Sequence, residues 1–208
     1  MNYFVTAIGT DSGKTVVSSI LSLALNAEYW KPVQAGFPTD TETVKALTEN
    51  KVYCHPEQYV LNTPASPHAA APVDHVEIKL EDFHLPNTQK NLVIEGAGGI
   101  MVPLNDTDLI IDLAIKFKTA TILVSNNYLG SINHTLLSLE YLKSKKISAT
   151  GIIFNGPANK ATEEIILLRS KLPCLLKVPQ LQEIKFAQLL SLSKELKKNL
   201  NELEAEGS

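Results

Sequence analysis

The residues best suited to chemistry come early in the chain. Gly9-Thr10-Asp11-Ser12-Gly13-Lys14-Thr15 follows an apolar run at 3–8 and leads into Val16-Val17, the head of a second apolar stretch. A glycine-rich loop between a strand and a helix can wrap a phosphate in backbone N–H groups, and the helix N-terminus adds the positive end of its dipole. In that setting the Lys14 ammonium meets β- and γ-phosphate oxygens, and the Thr15 hydroxyl is placed to ligate magnesium. The spacing departs from the common Gly-x4-Gly-Lys-Ser/Thr form, because Ile8 stands where the first glycine belongs. A chance Gly-Lys-Thr is the competing explanation, and the flanking strand and helix count against it.

Leu92-Val93-Ile94-Glu95-Gly96-Ala97-Gly98-Gly99 puts an acid at the end of a buried strand, followed by glycines that let a ligand approach the backbone. A carboxylate there is costly unless paired or metal-bound, so Glu95 reads either as a magnesium ligand or as a salt-bridged strand end. Asp40 is more ambiguous. Thr39-Asp40-Thr41-Glu42 also describes an ordinary helix start with acids in the first turn.

The elements that must position these groups alternate between short apolar runs and amphipathic stretches. Strands are expected at 3–8, 29–33, 91–95, 120–125, 147–154 and 174–178, and helices at 14–26, 40–49, 109–116, 132–144 and 161–172, with a surface helix at 192–204. This order predicts an α/β fold: a single-domain, P-loop NTPase-like parallel sheet flanked by helices on both faces, spanning 1–206. Gly207-Ser208 read as an appended scar. Residues 55–86 break the rhythm, with Pro56, Pro64, Pro67, Pro72 and Pro86 and four of the five histidines. They read as an ordered excursion over the sheet, either a binding loop or a plain crossover.

A formal net charge of -3 supplies no basic field for nucleic acid, and no apolar run is long enough to span a membrane. Cys54 and Cys174 form neither a disulfide framework nor a clustered zinc site, and no secretory leader is visible, so the cytoplasm is the expected compartment. His55, His68, His75 and His84 lack paired-ligand spacing.

Taken together, Gly9 to Thr15, Trp30-Lys31-Pro32-Val33-Gln34-Ala35-Gly36, Ser66-Pro67-His68, Glu95-Gly96-Ala97-Gly98-Gly99 and Leu129-Gly130-Ser131-Ile132-Asn133-His134 resemble the dethiobiotin synthetase family over nearly the whole chain. That family's phosphate loop is a lengthened Gly-x5-Gly-Lys-Thr, with Ala7 here at its first glycine. The resemblance implies a homodimeric, Mg-ATP-dependent cyclo-ligase of biotin biosynthesis that closes a ureido ring on 7,8-diaminononanoate with CO2. The substrate site would lie at the dimer interface.

By the same resemblance Lys31, Lys14 and Thr10 are the catalytic set, and Thr15, Asp40 and Glu95 hold Mg2+. Asp11, Ser12, Gly13, Lys14, Thr15, Val16, Asp40, Glu95, Gly96, Ala97 and Gly98 would meet the nucleotide's phosphate side. Asn155 with Pro179, Gln180 and Leu181 would meet its base. Thr10, Lys31, Ala35, Gly98, Gly130, Ser131, Ile132 and Asn133 would contact the diamine substrate, the last four receiving its carboxylate tail.

Two positions depart from the family pattern. Ala35 replaces a usual Ser or Thr, and Leu176-Lys177-Val178-Pro179 replaces a stretch that usually carries a glycine and an acid, which implies loose base selectivity. Other classes of protein share a phosphate loop: a partitioning or site-selecting ATPase, an amidase-like or adenosylcobalamin-pathway synthetase domain, and a nucleotide-binding module without chemistry. The first usually carries a signature lysine near the loop's start, where this chain has Ala7-Ile8-Gly9-Thr10. Lys31-Pro32-Val33 and the short chain favour the ureido-forming enzyme over the other two.

Overall fold

A computed structural model describes residues 1–181 and 183–206. The expected scar at Gly207-Ser208 lies outside the described residues. The main sheet is seven-stranded and wholly parallel. Its strands are β1 (Asn2–Ala7), β2 (Glu28–Trp30), β4 (Cys54–His55), β6 (Leu92–Glu95), β7 (Ala120–Asn126), β8 (Ala149–Gly156) and β9 (Cys174–Pro179), in the order β4-β2-β6-β1-β7-β8-β9. Strands β3 (Val33–Ala35) and β5 (Tyr59–Leu61) pair in parallel as a second, two-stranded sheet.

Alternation along β1 builds both layers of core. Tyr3, Val5 and Ala7 face one side, where they meet Val17, Ile20 and Leu21 of α1 (Lys14–Leu25) and Leu189, Leu196 and Leu200 of α7 (Phe186–Glu206). Phe4 faces the other side with Ile94, Leu123, Ile152 and Phe154. That side is closed by α4 (Asp112–Phe117), α5 (Ser131–Ser144) and α6 (Lys160–Ser170), through Leu113, Leu142 and Ile166. Each such side chain, fully buried, contributes about 1.5–3 kcal/mol, so the two apolar layers supply most of the drive to fold.

Three expected elements have a boundary that moves by three residues or more. The strand expected at 29–33 ends at Trp30, because Pro32 has no N–H to continue the ladder, and the chain re-enters extended structure as β3 in the other sheet. Helix α4 begins at Asp112 instead of 109: Leu109 is held in an antiparallel bridge to Pro103, and the Asp112 carboxylate accepts from Leu109 N. The terminal helix starts at Phe186, earlier than 192, and buries Leu189 in its first turn.

The excursion at 55–86 is ordered, as expected, but richer than the sequence indicated. It contains β5, a short helix α3 (Pro67–Val73) with Pro67 at its first turn, and a 3-10 turn at Leu80–Asp82. Leu61, Ala70, Ile78 and Phe83 are buried in the second layer of core, so the segment is packed structure.

Candidate active site

The carboxyl ends of β1, β2 and β6 lie side by side, and chain direction across the sheet reverses around β1, the position where open α/β sheets bind ligands. From β1 the chain turns through residues 8–13 into α1. Gly13 has φ +89°, and a Cβ there would stand 2.2 Å from Asn155 Nδ2, so only glycine fits. The Ser12 hydroxyl and Lys14 Nζ both donate to Gly9 O, at 3.1 and 3.2 Å, which curls Lys14 back over the loop. Burial and the nearby Lys31 charge lower the Lys14 pKa to about 8.

Lys31 follows β2 directly. Its Nζ lies 2.6 Å from Asp40 Oδ2 and 3.2 Å from Glu95 Oε1, and donates to Gly96 O at 3.0 Å. Burial opposes its charge, but Glu95 and Asp40 outweigh that and raise its pKa. Asp40 opens α2 (Asp40–Leu47), and its freedom comes from its neighbours. Thr39 is the cap, its Oγ1 accepting from Glu42 N while Glu42 Oε2 accepts from Thr39 N, and Gln34 Oε1 accepts from Asp40 N. The Asp40 carboxylate is thus spared for Lys31 and Thr15. Burial would raise its pKa, and Lys31 reverses this to hold it low.

Glu95 is 1% exposed and fully engaged. Its Oε1 accepts from Thr15 Oγ1 at 3.1 Å as well as from Lys31, and its Oε2 accepts from the phenol of Tyr29 at 3.1 Å. Thr15 Oγ1 also lies 2.9 Å from Asp40 Oδ1. Two carboxylates and one hydroxyl therefore converge, an all-oxygen donor set that suits a hard divalent cation with phosphate and water completing the shell. The strand-end salt bridge expected of Glu95 is present, and it uses the oxygen that also faces Thr15.

These groups line a cleft of about 640 Å³ together with Thr10, Asp11, Gly13, Val16, Ala35, Ala97 and Gly98. Gly98 has φ +63° and Gly99 packs close to Gly9, so the two loops touch. The far wall comes from Pro64, Ala65, Ser66 and Pro67 of the excursion, which is part of the site's surface. Gly96 contributes its carbonyl to Lys31, and Ser12 is buried beneath the loop.

The remaining expected residues are not in this cleft. Asn155, at the end of β8, donates from Nδ2 to Ser12 O at 3.0 Å and braces the phosphate loop. Pro179 pairs with Gly156 beside it, followed by the exposed Gln180 and the half-buried Leu181. Gly130 and Ile132 instead line a separate hollow of about 300 Å³ with Tyr128, Leu129 and Pro157. Ser131 is buried and Asn133 exposed. Within one chain the start of α5 therefore does not reach the cleft.

Sequence reasoning gave Tyr29 and Gln34 no role, and it left the wall at 64–67 open between a binding loop and a plain crossover. Tyr29 precedes Lys31 by two residues, so strand alternation gave a signal that both could face one neighbour, Glu95. Among the described residues no group of three or more His, Cys, Asp or Glu side chains is placed to hold a metal, and no helix is long and apolar enough to cross a membrane.

Comparison with known proteins adds independent findings. The family described as AAA domain matches residues 1–188. The ATP-dependent dethiobiotin synthetase BioD of Cytophaga hutchinsonii is 54% identical over 185 residues, covering 88% of this chain and 90% of the relative. Those of Christiangramia forsetii and Brucella ovis are 52% and 46% identical, covering 79% and 88% of this chain and 81% and 89% of theirs. Among solved structures, the septum site-determining protein MinD of Pyrococcus horikoshii, complexed with Mg-ADP, superposes with a TM-score of 0.61 at 14% identity, covering 100% of this chain and 99% of that one. The cell division ATPase MinD of Pyrococcus furiosus gives 0.59 at 15% identity, covering 97% and 99%. These two likenesses show the P-loop fold.

Proposed function

The chain belongs to the ATP-dependent dethiobiotin synthetase family and is an ATP-dependent ligase of the biotin pathway, and on that premise we propose the substrates, steps and residues of its reaction. The substrate is 7,8-diaminononanoate, and the product is its cyclic urea. One amine adds to CO2 and loses a proton, giving a carbamate. A carbamate oxygen attacks the γ-phosphorus of ATP and ADP leaves, giving a carbamic-phosphoric anhydride. The second amine attacks the carbonyl carbon and loses a proton, and inorganic phosphate departs as the ring closes.

Carbamate and triphosphate are both anionic, so bringing them together is an electrostatic task before it is a chemical one. The observation that supports this reading is the pair of buried ammonium groups, Lys14 and Lys31, opening into one cleft. Lys14 would meet the β/γ-phosphate oxygens and Lys31 the carbamate and the transferring phosphoryl group, with Thr10 at the substrate side. Asp11, Ser12, Gly13 and Val16 would frame the phosphates, with Gly96, Ala97 and Gly98 across from them. Thr15, Asp40 and Glu95 would hold Mg2+, which when bound neutralises phosphate charge.

Asn155, Pro179, Gln180 and Leu181 would flank the base. Ala35 leaves the diamine without a hydroxyl contact. Gly130, Ser131, Ile132 and Asn133 would take the substrate's carboxylate from a second copy of the chain, since one chain alone keeps them away from the cleft. This reading treats 1–206 as one domain acting as a cytoplasmic homodimer. The deciding experiment incubates the protein with diaminononanoate, bicarbonate and Mg-ATP. Phosphate release that needs all three is expected, and release without the diamine would sink the assignment.

A further inference from the structure

Lys31 has no donor to spare. An ammonium carries three N–H groups, and here three acceptors surround it: Asp40 Oδ2 at 2.6 Å, Glu95 Oε1 at 3.2 Å and Gly96 O at 3.0 Å. The residue is only 3% exposed. In this arrangement it cannot also bind a carbamate or a phosphoryl oxygen in the cleft. The two carboxylates it holds are the same two that, with Thr15, form the oxygen donor set, and Thr15 Oγ1 bridges them at 2.9 and 3.1 Å. Tyr29 occupies Glu95 Oε2 from the buried side, which leaves Oε1 as the oxygen that Lys31 and Thr15 share.

Resting on the proposed cation set, we propose that Lys31 is the resident counter-ion of the divalent-cation site in the free protein, so that its ammonium and the metal occupy that site in turn. Two carboxylates this close together, Glu95 buried and Asp40 half-buried, favour a positive charge between them, and Lys31 supplies it before the nucleotide arrives. When a divalent cation takes Asp40 and Glu95, Lys31 loses two of its three acceptors. Its donors then turn to the cleft, where the anionic carbamate and γ-phosphoryl group would lie. The one residue thus serves two sites in sequence, and its availability for chemistry is tied to arrival of the metal with its nucleotide.

The test uses Mn2+ as the probe, with neither nucleotide nor diamine present. Free Mn2+ is followed by electron paramagnetic resonance as it is titrated into wild type and Lys31→Met, which keeps the unbranched chain up to the ε position without the charge. Removing a competing charge a few ångströms away is expected to tighten Mn2+ binding at least about tenfold. Mn2+ should also raise the melting temperature of Lys31→Met more than that of wild type. Equal or weaker Mn2+ binding by folded Lys31→Met overturns the proposal.

If that variant does not fold even with Mn2+, wild type decides. Acetylation of Lys31, read by peptide mass spectrometry, should be slow in metal-free protein with ADP and severalfold faster with ADP and Mn2+ together. Identical labelling in the two states overturns the proposal. Neither measurement involves turnover, so failure of diamine-dependent phosphate release would remove the proposed reaction without deciding this one.

Discussion

The cluster at Thr15, Lys31, Asp40 and Glu95 and the start of α5 both carry motifs of a binding site, yet one is finished and the other is not. In the cluster every charge is met: Glu95 has donors on both oxygens, and each N–H of Lys31 has an acceptor. At the start of α5, Leu129 is fully exposed and Ile132 is exposed, while the buried Ser131 hydroxyl has no hydrogen-bond partner among the described residues. Monomeric surfaces tolerate scattered apolar side chains, but here they sit beside an unsatisfied polar group and a hollow. The contrast supports the proposed reading, in which one chain assembles the phosphate side alone and the far end of the substrate meets a second copy.

The largest effect should come from breaking the finished side. Lys31→Ala is expected to lower kcat roughly a thousandfold, because the group proposed to steady the transferring charge is gone. Phosphate release measured at saturating Mg-ATP checks this, and near wild-type turnover would show that Lys31 is not catalytic. Next comes the unfinished side. Leu129→Asp places a charge on the apolar rim and should yield monomers by sedimentation, with KM for the diamine raised about tenfold and nucleotide affinity unchanged. A dimeric variant with ordinary KM would break the distinction between the two regions.

A smaller effect separates the two buried lysines. Because the Lys14 pKa is lowered to about 8 in the free protein, Lys14 is largely neutral at pH 9, and phosphate binding should draw a proton back onto it. ADP titrations in buffers of different ionisation enthalpy should therefore show proton uptake at pH 9 and little at pH 6.5. The linkage sign is the reverse of an ordinary lysine salt bridge. Between about 8 and the unfolded value the unfolded chain holds more protons at this site, so Lys14 makes the free protein gain stability as pH rises through that window. Lys31, with its pKa raised, contributes stability at lower pH that is lost only above the ordinary lysine range.

The smallest expected effect lies at the base. Lys177 is turned to Glu163, 2.7 Å away, instead of toward the phosphate loop, so the altered stretch before Pro179 should discriminate bases weakly. Turnover with GTP or CTP within about tenfold of ATP would fit this reading, since a site without dedicated hydrogen bonds to a base rejects analogues poorly. A strong preference for ATP would count against it.

How much of this was legible depends on how local the signal was. Gly13-Lys14-Thr15 could be read because its flanking strand and helix are contiguous with it, and Glu95 because an acid ending an apolar run stands out. Asp40 could not be separated from a helix cap by its neighbours, since its role depends on Lys31 and Thr15, which are distant in sequence. The break at Pro32 was visible in principle, because a proline within a strand run argues for an end there. Strands β4 and β5 and helix α3 were not visible: each is short, proline-flanked and satisfied by backbone partners elsewhere, such as Gly36 N to Leu61 O and His68 N to Pro103 O.

Strand β6 has a consequence for synthesis. It lies between β1 and β2 and pairs with both, through Val5↔Glu95 and Tyr29↔Val93, although it is made some sixty residues after β2. Until residue 95 has left the ribosome, β1 and β2 each present a bare edge that no neighbouring strand closes. Such edges invite pairing between nascent chains and delay the first sheet until a long loop has closed. Ribosome-bound chains stopped before Leu92 should therefore stay sensitive to protease, while chains carried past Asn126, where β7 also becomes available, should acquire a resistant core. Resistance in the shorter chains would show that β6 is not the keystone of assembly.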